Sequence, residues 1–460
     1  MKAARPIVLG VAALLFCAGA GTQYLDRDNG STDASSDDVA TIASISETGS
    51  TGSVWFCPLV ASTEDSAAAS LRISRPASSR SSRPSTLRVT LYGPAGQIVA
   101  TTLKLETGSA TVPTADLLKS ADSATLPSLA ATVESDDPAI LVESNLGARS
   151  SGFLSCTTGV SSRWLVGVGS TALQNDTELA LFNPFPGTAL VDLQFWSERG
   201  AARPTALQGV AVPGNGLRII ELGDFVRRRE RLATEVSVRT GRVIAASNHR
   251  VRGSSELSVA VPSLANQWFV PAAIWSEKRP EAFTFLNPND TDSTVEVSAT
   301  LAPDDVEPFE VLVPANSSVV FDPSADGRIP ADTAYALVAQ ISSGPAITLT
   351  RTVSPADGRS PHFSQAASPV SAQAWLAAVG DAQSVTVFNP YDVSTKVSVV
   401  LGDVEQKPFT LAPGAFRTLA IDEAQQSAGS MSIDAAGAPV VVSVHQSSGA
   451  DVVGVHMIDR

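Results

Sequence analysis

Apolar and polar side chains alternate along this chain in short runs that break at Pro, Gly, Asn and Asp. Val191, Leu193 and Phe195 alternate with Asp192 and Gln194, and Val295, Val297, Ala299 and Leu301 with Glu296, Ser298 and Thr300. Val397, Val399 and Leu401 repeat the pattern, as do Leu87, Val89 and Leu91. Successive side chains of a strand point to opposite faces, so a period of two with one polar face predicts an antiparallel strand buried on one side. Before each of these runs lies a strand-like segment ending in Asn-Pro: ELALFNP at Asn183-Pro184, AFTFLNP at Asn287-Pro288 and SVTVFNP at Asn389-Pro390. The first such place, SLRISRP, has Arg75-Pro76 instead. Proline removes a ladder donor and restricts the residue before it, so the dipeptide predicts the end of pairing and a turn. Turns at Pro113, Pro213, Pro314 and Pro413 then lead into further short strands such as LRIIEL, SVVFD and FRTLAI.

Every cycle opens on a tryptophan and an apolar run: WFCPLVA, WLVGVG, WFVPAA, WLAAVG. Trp55, Trp164, Trp268 and Trp375 lie 109, 104 and 107 residues apart. Solenoid and propeller-blade repeats run ~20–50 residues, so this period predicts copies of a whole domain. About seven short alternating strands in ~100 residues read as an immunoglobulin-like β-sandwich. The expected fold is all-β, with four tandem immunoglobulin-like β-sandwich domains at 54–163, 164–267, 268–374 and 375–460. Half-repeats closing into a propeller and strand exchange across the Trp boundaries are the competing arrangements. A helical turn is expected around Asp224 to Arg231, with Asp224 as its cap. A tryptophan at one place in every copy is expected to fill the core or a domain junction, whereas Trp196 and Trp275 do not recur and are the expected exposed contacts.

The N-terminal residues bear on location. Lys2 and Arg5 precede the apolar run Ile7 to Ala20, and Ala18-Gly19-Ala20 has the spacing of a signal-peptidase site. Residues 1–21 are therefore expected to be a signal peptide or an uncleaved signal anchor, and the Ser-, Thr- and Asp-rich stretch 22–53 a flexible linker. The protein is expected outside the cytoplasm, anchored by the N-terminal segment or secreted if cleaved after Ala20. In such a compartment Cys57, two residues after the first Trp, and Cys156, eight before the second, are expected to form a disulfide. Phe16 before Cys17 argues against a lipidation site.

The formal net charge of −14 argues against a nucleic-acid partner, which needs clustered cations to neutralise phosphates. The charge is uneven: residues 53–163 are neutral, 164–267 carry +2, 268–374 carry −8 and 375–460 carry −5.

Together, the Trp-apolar opening, the Asn-Pro strand end, the Val-x-Val alternation and the Pro-Gly or Pro-Ala turn resemble an uncharacterised family of exported, membrane-anchored actinobacterial proteins built from such repeats. The resemblance runs over residues 1–460 and is clearest over 164–460. It implies an extracytoplasmic array of β-domains with a cell-envelope role, and it brings no catalytic residues. The first unit departs from it at Arg75-Pro76 and in the inserted ASSRSSRPS.

Candidate chemistry is sparse. His249, His362, His445 and His456 are scattered, with no Ser or Cys motif beside them and no Gly-x-Ser-x-Gly elbow. Asn287, Asn289, Asp290 and Asp292, and Asp322 with Asp326, offer hard oxygens in loops but match no defined calcium loop, so they are read as turn residues. Gly167-Val-Gly169-Ser lies in an opening strand and lacks the lysine of a phosphate cradle. No cofactor is expected. The arginines stand out: Arg72, Arg75, Arg80, Arg83 and Arg88 around the first insertion, and Arg227, Arg228, Arg229 and Arg231 in the second unit. Such clusters suit anionic envelope polymers, unless they are a solvated face ion-paired to Asp224, Glu230 and Glu235. The expected function is a non-enzymatic envelope scaffold or accessory protein that presents binding surfaces to an envelope partner. The alternatives are a binding module for anionic polysaccharide, using Arg75, Arg80, Arg83, Arg227, Arg228, Arg229 and Arg231, and an envelope hydrolase with an unrecognised site.

Overall fold

A computed structural model describes residues 53–61, 68–75, 83–106, 108–119, 128–147, 150, 152–251, 254–301, 306–354, 356, 362–380, 382–446 and 451–453. The expected signal segment, residues 22–52 of the expected linker, Cys17, Arg80 and His456 lie outside them, while Ser53 begins the first strand. The described residues belong to one compact unit and are nearly all β.

The strands pair in the same order four times. In the first repeat, β1 (Ser53–Ala61), β2 (Ser70–Arg75), β3 (Ser85–Gly93), β4 (Gly96–Leu105), β5 (Gly108–Pro113), β6 (Leu129–Ser135), β7 (Leu141–Asn145) and β8 (Leu154–Ser155) form two sheets. Their orders are β1-β6-β3-β4 and β5-β2-β7-β8. In the third, Gln267–Ala273, Tyr335–Ser343, Ser293–Leu301 and Phe309–Val313 make the first sheet; Ser317–Phe321, Glu281–Asn287, Thr348–Val353 and Phe363–Ala366 make the second. The second and fourth repeats follow the same plan with one extra short strand each. Every ladder among the described residues is antiparallel and joins strands of the same repeat. Each sheet draws on the full length of its repeat, and among the described residues the one-residue parallel bridge Ser150–Ser255 joins the first repeat to the second without exchanging a strand.

The alternating runs behave as their period requires. In Ser293–Leu301 the apolar positions are buried and Glu296 is exposed. A single cluster joins the two sheets of the third repeat through Val295, Val297, Phe283, Phe285 and Leu349. The recurrent tryptophans are buried, and three make the same bond: Nε1 of Trp164, Trp268 and Trp375 donates to the carbonyls of Val243, Ile347 and Val440 at 2.8, 2.9 and 2.9 Å. A buried indole N–H needs such an acceptor.

The Asn of Asn-Pro does more than precede a proline. Asn183 Nδ2 donates to the carbonyls of Gly187 and Val212, Asn287 Nδ2 to Thr291 and Val313, and Asn389 Nδ2 to Val393 and Ala412. Each Oδ1 accepts from the backbone N–H two residues on, at Phe185, Asn289 and Tyr391. One fully buried amide thereby closes its own turn and ties it to a strand of the facing sheet.

The repeats also pack on one another, and the fourth returns to the first. Phe56 and Tyr92 share a cluster with Ala180 and Phe182, with the Tyr92 and Phe182 rings 5.1 Å apart. Leu165, Trp196 and Ala233 meet Leu286 and Ala366; Phe269 and Ala336 meet Phe388 and Val441. Leu376 and Ala378 of the fourth repeat join the core cluster of the first. There Phe153 N donates to Gln446 Oε1 at 2.8 Å, and Gln446 Nε2 donates to the Phe153 carbonyl at 2.7 Å. A Cβ on Gly429 would lie 2.7 Å from Ser109 N. The residue after each tryptophan (Phe56, Leu165, Phe269, Leu376) thus sits in a seam between repeats.

Four expectations are corrected. Pro113 does not turn into a strand: it ends β5 and leads into the helix Thr114–Leu118. Trp275 is half-buried against the core of the third repeat, its Nε1 donating to the Ile329 carbonyl at 2.9 Å. Trp196 is not an exposed contact: it is 1% exposed, inside the seam between the second and third repeats. The helical turn is a single 3₁₀ turn at Leu222–Asp224, which Asp224 ends instead of capping.

Candidate functional site

The disulfide joins Cys57, in β1, to Cys156, which follows β8, with Cα atoms 4.7 Å apart. It clasps the two ends of the first repeat, next to the bridge between Phe56 and Thr157.

The two arginine clusters are placed very differently. Arg75 was expected at a surface, but it is 1% exposed, and its Nε donates to Asp137 Oδ2 at 2.9 Å. It occupies the place of the buried Asn in the other repeats, and Asp137 also accepts from Ser85 Oγ. Arg72, three residues earlier, is buried against Glu143 Oε2 at 2.7 Å. A buried guanidinium must be paired, and both of these are. Of the first cluster, Arg83 and Arg88 are exposed.

The second cluster faces solvent. Arg227, Arg228 and Arg231 are exposed, and Arg229 is half-buried, with Nη1 donating to the Arg227 carbonyl. No regular element holds this run; a neighbouring loop clamps its backbone instead. Thr171 N donates to the Arg229 carbonyl, Arg228 N to the Thr171 carbonyl, and Ser170 Oγ to the Arg229 carbonyl. Arg228 and Gln174, one on each side, both have left-handed backbones, at φ 54° and 69°. That conformation costs a residue bearing a Cβ roughly 1–3 kcal/mol and persists only where the surroundings over-determine it.

Between these loops lies an open cleft of about 850 Å³. Arg227 and Arg228 line it together with Asp176, Glu221, Glu230 and Arg250. Register explains why acids gather at one side: Glu221 pairs across the ladder with Glu178, and Arg250 with Asp176. Glu178 is buried and accepts from Asn248 Nδ2 at 2.9 Å and from Arg250 Nη1. Arg250 Nη2 also lies 3.5 Å from Glu221. Burial pushes the Glu221 carboxyl up to about 7, reinforced by its hydrogen bond to Glu178 and that group's charge and opposed by Arg250. The cleft therefore has a cationic lip and a protonatable acidic wall. Sequence reading found the lip as an arginine run. It missed the wall, whose members come from three strands.

The remaining candidates are placed as structure. Asp292 Oδ1 accepts from Ala315 N, Asp322 Oδ1 from Ser324 N and Oγ, and Asp326 pairs with Arg328. Among the described residues no three His, Cys, Asp or Glu side chains converge. His249 Nδ1 lies 3.9 Å from Glu256, and His445 and His362 belong to other repeats. Gly167 is a close-approach residue: a Cβ there would lie 2.0 Å from Thr350 Oγ1 of the third repeat. No helix among the described residues is long and apolar enough to cross a membrane.

No curated protein matches the chain. Among solved structures it is similar to Thermotoga maritima 1070, at 13% identity over 23% of this chain and 95% of that one, with a TM-score of 0.21. It is also similar to the Anabaena sensory rhodopsin transducer, at 23% identity over 19% and 94%, with a TM-score of 0.17. A tetra-tandem repeat from the extending region of a large adhesion protein aligns at 12% identity over 89% and 100%, with a TM-score of 0.10. Residues 147–415, more than half of the sequence, match the model of the Family of unknown function (DUF5719), and the chain belongs to that family.

Proposed function

We propose that this protein is a non-enzymatic scaffold of the cell envelope. Four immunoglobulin-like β-sandwich domains, exported and tethered or released by the N-terminal segment, present binding surfaces to an envelope partner. The observation that carries this reading is the cyclic packing. Each repeat's opening strand docks on the next repeat, and the last docks on the first. The recurrent residues, Trp and Asn-Pro, are committed to framework bonds. Such a body holds its loops in fixed relative positions, which suits multivalent presentation. Mild crosslinking on intact cells, followed by extraction and identification of captured proteins, tests it. Recovery of the full chain in the cytosolic fraction, with no envelope protein attached, counts against it.

A second reading, binding of anionic envelope polysaccharide, draws on the exposed Arg227, Arg228 and Arg231 at the cleft. Arg72 and Arg75 no longer contribute to it. Retention on purified cell-wall material should fall with salt and be lost in Arg227→Glu/Arg228→Glu/Arg231→Glu.

A further inference from the structure

The interiors of the third and fourth repeats differ at equivalent places. Val297 pairs with Phe309 and Val397 with Phe409, which sets the correspondence. Four residues on, Leu301 pairs with Tyr335, but Leu401 pairs with Met431. Four residues before the Asn of Asn-Pro, Phe283 pairs with Phe321, but Val385 pairs with Leu419. Three rings of the third repeat are therefore aliphatic in the fourth.

In the third repeat those rings close the space between the sheets. Phe283 and Phe321 are 6.1 Å apart, Phe283 and Tyr335 6.5 Å, and Phe309 and Phe321 4.9 Å. In the fourth the same space is a cavity of about 350 Å³, open to solvent. Val399, Leu401, Phe409, Leu419, Ile421 and Met431 line its interior, and the polar Gln406, Thr418 and Gln425 also line it. Close-packed interiors seldom leave a space this large between two sheets.

Lys407 and Arg417 also line the cavity, and both are exposed. Arg417 lies over the Phe409 ring, 4.5 Å from its centroid. They are the only charged side chains in the lining, although residues 375–460 carry nine acidic and four basic side chains. Two of the four cations line this one opening.

We propose that this cavity binds a single-chain amphiphile with an acidic head, of the medium-chain fatty-acid class. Its hydrocarbon tail lies between the sheets, and its carboxylate lies between Lys407 and Arg417. A pocket of this size takes one short chain. The site is separate from the envelope reading and from the arginine cleft.

Calorimetric titration of the full chain with decanoate tests it. The expected result is saturable one-to-one binding, with decyltrimethylammonium and decanol at least ten-fold weaker. Leu419→Phe/Met431→Tyr, which restores two of the third repeat's three rings, should abolish binding and raise Tm. Lys407→Glu/Arg417→Glu, both at exposed positions, should weaken decanoate at least ten-fold with Tm unchanged. The proposal is overturned by absence of saturation, by equal binding of the cationic amphiphile, or by decanoate binding that survives the ring-filled variant. Binding only to phosphatidylglycerol vesicles, with none to decanoate, would also overturn it, because that assigns the cations to a membrane surface.

Discussion

Where the second repeat meets the third, Leu165, Trp196 and Ala233 face Leu286 and Ala366. Where the fourth meets the first, the Arg72–Glu143 ion pair lies beside Gly380, whose Cβ would sit 3.2 Å from Arg72 Cδ. Counting back three residues from the Asn- or Arg-Pro proline's partner aligns Arg72 with Ala180, Thr284 and Thr386. Their ladder partners are Glu143, Ala246, Thr350 and Ser443. One residue before the dipeptide, Ser74 stands where Phe182, Leu286 and Phe388 stand in the other repeats. The seam that joins the ends of the chain thus combines the hydrocarbon of Leu376 and Ala378 with a buried ion pair of the first repeat, a pair absent at the equivalent positions of the other repeats. Consecutive repeats are brought together by a short connection. The first and fourth are not, and Arg72, held by Glu143 of its own repeat, offers Gly380 a fixed surface to pack on.

The largest expected effect breaks that seam. Arg72→Ala strands a buried carboxylate and should cost about 3–5 kcal/mol in urea unfolding. Hydrogen-exchange protection should fall over 70–75, 141–145 and 374–378 and hold over 163–166. Arg72→Met/Glu143→Leu would convert the odd seam to the common type. It should be as stable as the parent or more so, by up to ~4 kcal/mol, with exchange at 374–378 as protected as in the parent. Gly167→Ala probes a hydrocarbon seam by overpacking it against Thr350, at a cost of about 1–3 kcal/mol. The smallest effect is at Glu221, the last residue of the strand Gly216–Glu221. The ordinary value for a glutamate is 4.5, whereas folded Glu221 holds its proton to about 7. Between those values the folded state binds more protons, so this group's contribution to stability falls as pH rises. Glu221→Gln should leave Tm unchanged at pH 4 and raise it at pH 8.

Much of the architecture was readable from residues. Period-two runs such as Val295–Leu301, the recurrent Trp and the pair Cys57 and Cys156 carry their structural meaning locally or by simple spacing, and strands, burial and disulfide follow. The candidate sites were readable only in part. Arg227, Arg228 and Arg231 are exposed, but Arg72 and Arg75 look no different in sequence and are buried. Their partners, Glu143 and Asp137, lie more than sixty residues away. Trp196 failed for a related reason: without recurrence it looked dispensable to the core, yet a neighbouring repeat covers it.

What the sequence by itself determined is the set of strands, their inward faces and the four-fold recurrence, because backbone pairing and side-chain alternation are imposed within a few residues. The tertiary structure decided which charges are buried, that the last repeat closes on the first, and that the fourth interior stays open. Each of these depends on the shape and polarity of a surface supplied from elsewhere in the chain. A side chain's own neighbours in sequence cannot specify what will be packed against it.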